Sequence, residues 1–128
     1  MLRLLSVFAL FAVVSRAAEP PTDWIDPTTG HRILRLSREA DTSSLYFHQD
    51  AFTKDGTRVI VVNREGIATI NLTTHETKVI VPDVGYKPGS SAGIEVGAVS
   101  GDVYFFKDRT LFAVNPDTLA QRTVTKLA

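Results

Sequence analysis

The chain repeats itself with a spacing of 44 or 45 residues. Asn71 aligns with Asn115 at a distance of 44 positions, and Gly56 aligns with Gly101 at a distance of 45. A period of about 40–45 residues with four strands in each unit is typical of β-propeller blades. We therefore expect an all-β protein with about two four-stranded antiparallel blades. Because closed propellers have about four to eight blades, two blades form an incomplete ring.

Each repeat is predicted to consist of short strands joined by turns. An aromatic strand at 45–50, an Asp-Gly turn and a β-branched strand at 57–63 have the pattern of a β-hairpin. Outside the first 17 residues, no segment has apolar residues at helical spacing over more than two turns, so almost no helix is expected. The predicted organisation is an N-terminal linker at 18–30, a first strand at 31–37, and blades at 45–81 and 93–127. A free-standing sandwich or barrel is the alternative that the length allows, and the in-register repeat argues against it.

The first 17 residues have the pattern of a signal peptide. Arg3 supplies the positive charge, residues 4–14 form an apolar run, and Ser15-Arg16-Ala17 provides small residues at a cleavage site after Ala17. A run of this length is shorter than the roughly 20 residues that span a bilayer. We expect a periplasmic or secreted protein with no membrane attachment after cleavage. The alternative is an N-terminal membrane anchor.

The charge balance and the absence of cysteine exclude two classes of protein. The chain has 14 basic and 14 acidic side chains, and no basic patch indicates a nucleic-acid partner. An exported chain without cysteine is not a disulfide-stapled scaffold, so burial and strand pairing must stabilise it.

Two segments resemble the N-terminal part of the oligogalacturonate lyases. They are residues 29–37, Thr-Gly-His-Arg-Ile-Leu-Arg-Leu-Ser, and residues 45–56, Leu-Tyr-Phe-His-Gln-Asp-Ala-Phe-Thr-Lys-Asp-Gly. The Phe-Thr-x-Asp-Gly part is shared with many propellers related to TolB, whereas Tyr-Phe-His-Gln and Gly-His-Arg are narrower. The resemblance extends over about 24–81 and is weaker from Pro82 onward. It implies a seven-bladed propeller, of which this chain provides the first blades and for which the remaining blades are partners.

The resemblance also implies a reaction. The family cleaves acidic oligosaccharides, the oligogalacturonates of pectin, by β-elimination. A base removes the proton next to a uronate carboxylate while a cation neutralises that carboxylate. In the family a histidine is the base and a divalent metal, typically manganese, is the cation. Those residues lie in later blades, so the resemblance assigns no catalytic residue and no metal ligand to this chain. The alternative function is a non-catalytic propeller module, similar to TolB, that binds protein or glycan.

Four residues are candidates for binding substrate. His48 and Gln49 are predicted on the innermost strand of the first blade, near the channel, on opposite faces of the strand. One of them would bind a sugar hydroxyl or carboxylate; alternatively His48 packs between blades and Gln49 caps the strand. His31 and Arg32 begin the first strand, where the guanidinium would suit a carboxylate. Alternatively these two are polar edge residues that discourage unwanted strand pairing.

Overall fold

The computed structural model describes residues 19–84 and 93–128, and the predicted signal peptide lies outside these ranges. The described residues form ten strands, joined by turns and irregular segments, and no helix among them is long and apolar enough to cross a membrane. The prediction of an all-β chain is confirmed.

The strands form three antiparallel sheets. The N-terminal hairpin consists of β1 (Asp23–Ile25) and β2 (Arg32–Leu34). The first blade consists of β3 (Ser43–Ser44), β4 (Arg58–Asn63), β5 (Gly66–Asn71) and β6 (Thr77–Pro82). The second blade consists of β7 (Ile94–Val96), β8 (Val103–Lys107), β9 (Thr110–Val114) and β10 (Gln121–Lys126). In each blade every strand pairs with the next strand along the chain, which is the meander expected of a propeller blade.

Tight turns set the register of the blades. In the second blade, Asp108 and Arg109 form a two-residue turn with φ of 47° and 60°, the conformation that matches the twist of paired strands. In the first blade, Gly66 follows a two-residue turn and has φ of 136°. A Cβ at Gly66 would collide with the carbonyl oxygen of Val81. Glycine is therefore required at this position.

The Asp-Gly turn between β3 and β4 is formed as predicted. Gly56 adopts a φ of 68°, and the Asp55 carboxylate accepts hydrogen bonds from the hydroxyls of Thr53 and Thr57, at 2.6 and 2.7 Å. Together with a further bond from the Thr57 amide, these bonds lower the pKa of Asp55 from 3.8 to about 2. The bond from Thr53 has the largest effect. The ionised carboxylate thus stabilises the turn.

The turn between the third and fourth strands is the same in both blades. The side-chain oxygen of Asn71 accepts hydrogen bonds from the amides two and three residues ahead, at 2.8 and 2.9 Å. Asn115 does the same at 3.0 and 2.9 Å. His75 and Leu119, each four residues after the asparagine, have φ of 59° and 61°. The repeat seen in the sequence therefore corresponds to a repeated structure.

The core lies between the blades and on the opposite face of the first blade. Ten buried apolar residues fill the interface between the two blades, including Ile60 and Ile67 from the first and Val103 and Phe105 from the second. On its other face, the first blade buries a smaller cluster that includes Ile70, and Leu36 packs against it. Such face-to-face packing of sheets is the packing of propeller blades.

Polar bonds also join the two blades. Lys54 Nζ donates to the carbonyl oxygen of Val99 at 2.9 Å. The guanidinium of Arg58 donates to the carbonyl oxygen of Pro116 at 3.3 Å and pairs with Asp117. The Arg58 side chain is mostly buried, so these bonds are better shielded from water than ordinary surface pairs.

Three details differ from the sequence prediction. Residues 18–30 are not a simple linker, because β1 lies within them, and the strand predicted at 31–37 ends at Leu34. Residues 45–50 were predicted to be the innermost strand, but they form a loop instead. The loop closes with a turn in which the Gln49 amide donates to the Tyr46 carbonyl oxygen at 2.8 Å.

Candidate functional site at the inner edges of the blades

The loop of residues 45–50 interrupts the strand that pairs with β4. Ser44 pairs with Val61, and the pairing resumes when the Ala51 carbonyl accepts the Ile60 amide at 2.7 Å. The six residues between these points leave the sheet. Because β3 is the edge strand of the first blade, the loop extends from the edge that faces the axis in a propeller. Ligands of propellers bind in that region, so this loop is the first candidate site.

Gln49 fixes the loop to the second blade. Its side-chain nitrogen donates to the carbonyl oxygen of Ile94 at 2.7 Å and to a carboxylate oxygen of Glu95 at 2.8 Å. Its side-chain oxygen accepts the amide of Tyr46 at 2.8 Å. Ile94 and Glu95 belong to β7, the edge strand of the second blade. The two bonds that the Gln49 side-chain nitrogen donates join the inner edges of neighbouring blades, and the bond that its oxygen accepts closes the loop itself.

The three residues before Gln49 form an exposed cluster of rings. The ring centroids of Tyr46 and Phe47 are 4.6 Å apart, and His48 lies 5.0 and 5.5 Å from them in edge-on orientation. Tyr46 is 58% exposed and Phe47 is 87% exposed. Such rings offer an apolar face and, at Tyr46 and His48, polar atoms at the rim. This combination suits the carbon-hydrogen face and the hydroxyl groups of a sugar ring.

The structure thus separates the roles of His48 and Gln49. The prediction that they lie on opposite faces of one strand is wrong, because both belong to the loop. Gln49 is half-buried and holds the backbone, while His48 is exposed beside Tyr46 and Phe47. Aromatic residues favour strands, but here the bonds of Gln49 override that preference. The ring cluster and the partnership with Glu95 were not recognised from the sequence.

His31 and Arg32 lie on the N-terminal hairpin, and no hydrogen bond among the described residues joins them to the 45–50 loop. Arg32 donates two bonds to Asp23, at 3.0 and 2.6 Å. The hydrogen bond from Arg32 lowers the pKa of Asp23. Both side chains are exposed, so this pair forms a cross-strand contact on the surface of the hairpin. The guanidinium is engaged by a carboxylate of the protein itself.

A second polar network, not anticipated from the sequence, lies on the second blade. Arg122 donates to Asp102 at 3.1 Å and to the hydroxyl of Tyr104 at 3.3 Å, and its guanidinium lies 5.8 Å from the centre of the Tyr104 ring. Hydrogen bonds with Ser100, which is the larger cause, and with Arg122 lower the pKa of Tyr104. In the sequence repeat Arg122 aligns with Lys78, 44 positions earlier, so a basic residue at this position is common to both blades.

Manganese does not fit the described residues. Within residues 19–84 and 93–128, no three histidine, cysteine or acidic side chains are grouped so that they could hold a metal ion. Zinc, manganese and similar ions take three or more such ligands from a protein in most sites. The described residues therefore provide no metal site of this kind.

The solved structures that are similar to the chain include two oligogalacturonate lyases. One, determined in complex with manganese, is 23% identical with a TM-score of 0.67. The other, from Vibrio parahaemolyticus, is 18% identical with a TM-score of 0.68. The chain has the fold of an oligogalacturonate lyase segment. In both comparisons the alignment covers 83% of this chain and 29% of the lyase. No protein-family model and no curated protein sequence matches the chain significantly.

Proposed function

We propose that the chain forms part of the wall of the substrate channel in an exported oligogalacturonate lyase-like propeller. The whole protein would cleave oligogalacturonates by β-elimination with manganese, and the described blades would bind and orient the sugar. The observation that carries this proposal is the likeness of the fold to two oligogalacturonate lyases over 83% of the chain. The 45–50 loop adds to it, since it places exposed rings at the inner edge of the first blade.

The ring cluster provides the binding chemistry of the proposal. Phe47 and Tyr46 would stack on the apolar face of a galacturonate ring, which excludes water from one side of the sugar. The His48 imidazole would donate a hydrogen bond to a hydroxyl or to the carboxylate. Gln49 would keep these groups in place through its bonds to β7. Pre-organisation of this kind reduces the entropy that binding must overcome.

The test is a titration of the 128-residue chain with digalacturonate. Binding is measured by NMR of the His48 imidazole and by calorimetry. We expect saturable binding that Phe47→Ala and His48→Ala each weaken by roughly fivefold to tenfold, the loss of about one aromatic contact or hydrogen bond. Phe106→Ala removes a partly exposed ring from the second blade and is the matched control, which should bind as the unmodified chain does.

Turnover is tested separately by chromatography of digalacturonate incubated with manganese. We expect unchanged substrate with this chain, and conversion to unsaturated product when the chain is extended by the remaining blades. If the extended protein binds digalacturonate without converting it, the protein is a glycan-binding module and the proposed lyase function is wrong. Absence of binding to the chain together with absence of conversion would refute the whole proposal.

Export is tested by expressing the chain with its own N-terminus in a bacterial host. Mass spectrometry of the periplasmic fraction should find a mature protein that begins at Ala18. A protein that stays in the membrane with Met1 intact would instead indicate an N-terminal anchor.

A further inference from the structure

A groove of about 600 Å³ lies between the two blades, towards their outer strands. One wall is the end of β6, at Val81 and Pro82, with Asp83 that follows it, and the other wall is formed by β8, β9 and β10. Pockets for small ligands usually have volumes of roughly 300–1,000 Å³. No residue of the 45–50 loop lines this groove. The groove is therefore a candidate site separate from the loop.

The register of the second blade places an apolar row and a polar row side by side in the groove. Phe105 pairs with Phe112, and two positions away Lys107 pairs with Thr110, which pairs with Lys126. Side chains at paired positions, and at positions two apart in a strand, project from the same face of a sheet. The rings of Phe105 and Phe112 are stacked with their centroids 5.5 Å apart, and Phe112 is only partly buried. The wall thus offers an aromatic surface next to two ammonium groups.

The two lysines of this row have charges that the protein does not neutralise by contact. Both side chains are exposed, and neither ammonium group has an ion-pair partner in the part of the chain that the structure describes. The ion pairs of that part are all formed by arginine. A lysine ammonium has three hydrogen-bond donors and no acceptor. Lys107 and Lys126 are therefore available to a ligand that carries a carboxylate.

The groove also contains two carboxylates with no cation bound to them among the described residues. Asp83 lies on the wall formed by the first blade, and Asp108 lies in the turn between β8 and β9. An ionised carboxylate only accepts hydrogen bonds, so these two groups suit hydroxyl donors. A simple anion would be repelled by them, and a purely apolar ligand would leave all four charges without partners. The groove therefore fits a ligand that combines a carboxylate, hydroxyl groups and an apolar face.

We propose that this groove is a second sugar-binding site, which takes a uronate residue of an acidic oligosaccharide. Lys107 and Lys126 bind the carboxylate of the sugar through charge-assisted hydrogen bonds. Asp83 and Asp108 accept its hydroxyl groups, and Phe112 contacts the apolar face of the ring. That the sugar is galacturonate rests on the proposed function, whereas the site itself rests on the residues of the groove.

The experiment is an NMR titration of the 128-residue chain with digalacturonate, in which each site has its own reporter. The Thr110 amide reports the groove, and the His48 imidazole reports the loop. We expect saturable shifts at Thr110 that Lys107→Gln and Lys126→Gln each weaken by roughly fivefold to tenfold, the loss of about one charged hydrogen bond. Phe47→Ala should leave the affinity measured at Thr110 unchanged.

Two controls separate recognition from general attraction between charges. Lys78 is an exposed lysine of the first blade that does not line the groove, so Lys78→Gln should bind as the unmodified chain does. The dimethyl ester of digalacturonate keeps the rings and hydroxyl groups but has no charge. It should bind the groove at least fivefold more weakly than the acid, and Lys107→Gln should not weaken it further. Should one lysine variant alter the circular dichroism spectrum, the other variant and the ester give the same test.

The outcomes distinguish a failure of this inference from a failure of the proposed function. Shifts at His48 without shifts at Thr110 would overturn the second site and leave the proposed function standing. Shifts at Thr110 alone, sensitive to the two lysines, would support the second site and refute the role of the ring cluster. An equal loss of affinity in Lys78→Gln, Lys107→Gln and Lys126→Gln would assign the binding to net charge and would overturn the proposal. Equal affinity for the acid and its ester would also overturn it.

Discussion

Replacement of Gln49 tests whether one side chain holds the candidate site in place. Gln49→Ala removes three hydrogen bonds, to the Ile94 carbonyl, the Glu95 carboxylate and the Tyr46 amide. At about 1 kcal/mol net for each bond, the loss is about 3 kcal/mol. The truncated side chain no longer has to be ordered, which returns about 1 kcal/mol. We therefore expect the free energy of unfolding to fall by about 2 kcal/mol.

Urea unfolding followed by circular dichroism measures this change, and hydrogen exchange locates it. The Tyr46 amide should exchange faster in Gln49→Ala, because its acceptor is gone. Gln49→Glu keeps an acceptor for Tyr46 but places a carboxylate opposite Glu95, so it should destabilise the chain at least as much at pH 7. Adding Glu95→Gln to Gln49→Glu should recover part of the loss, since an amide donor then faces a carboxylate again.

A small effect of Gln49→Ala would contradict this prediction. A change in unfolding free energy smaller than about 0.5 kcal/mol for Gln49→Ala is within the range of ordinary surface substitutions. Such a result, with unchanged exchange at Tyr46, would mean that water replaces the three bonds without cost. The loop would then be held by its buried residue Leu45 and not by Gln49.

Three further predictions concern stability. Thr69 has a buried hydroxyl with no partner among the described residues, so Thr69→Val should raise the unfolding free energy by about 1 kcal/mol in urea titrations; a loss of stability would indicate an undetected partner. Gly66→Ala should lower the unfolding free energy by about 3 kcal/mol, because the new Cβ collides with the Val81 carbonyl. An unchanged urea midpoint would contradict this prediction. The folded pKa of Asp55 is about 2, below its ordinary value of 3.8, so its stabilising effect is complete above about pH 4 and is lost as the pH falls towards 2. Asp55→Asn should therefore lower stability at pH 7 and flatten the pH dependence of thermal unfolding in that window, and an unaltered pH profile would rule out this assignment.

Local sequence patterns predicted the blades well because each turn is determined by the residues that form it. The Asp-Gly turn, the spacing of Asn71 and Asn115, and the β-branched strand at 57–63 all correspond to observed elements. The hairpin of β1 and β2 was only half recognised, since β1 has three residues and lies next to a turn cluster. Its turn carries Asp26 where the turns of the blades carry asparagine, so the hydrogen-bond pattern that they share was not recognised from the sequence.

The candidate site was harder to predict because its geometry depends on distant contacts. Residues 45–50 have the composition of a strand, and nothing within six residues shows that Gln49 bonds to β7, 45 positions later. Side-chain contacts between blades decide whether a strand continues or leaves the sheet. A single sequence gives no direct sign of such contacts.

The order of strands within the blades has a consequence for folding. Because each strand pairs with its neighbour in the chain, loop closure costs little and each blade can form as soon as its residues have been synthesised. The bonds between the blades join Gln49 to residues 45 and 46 positions later, so they can form only after the second blade has been synthesised.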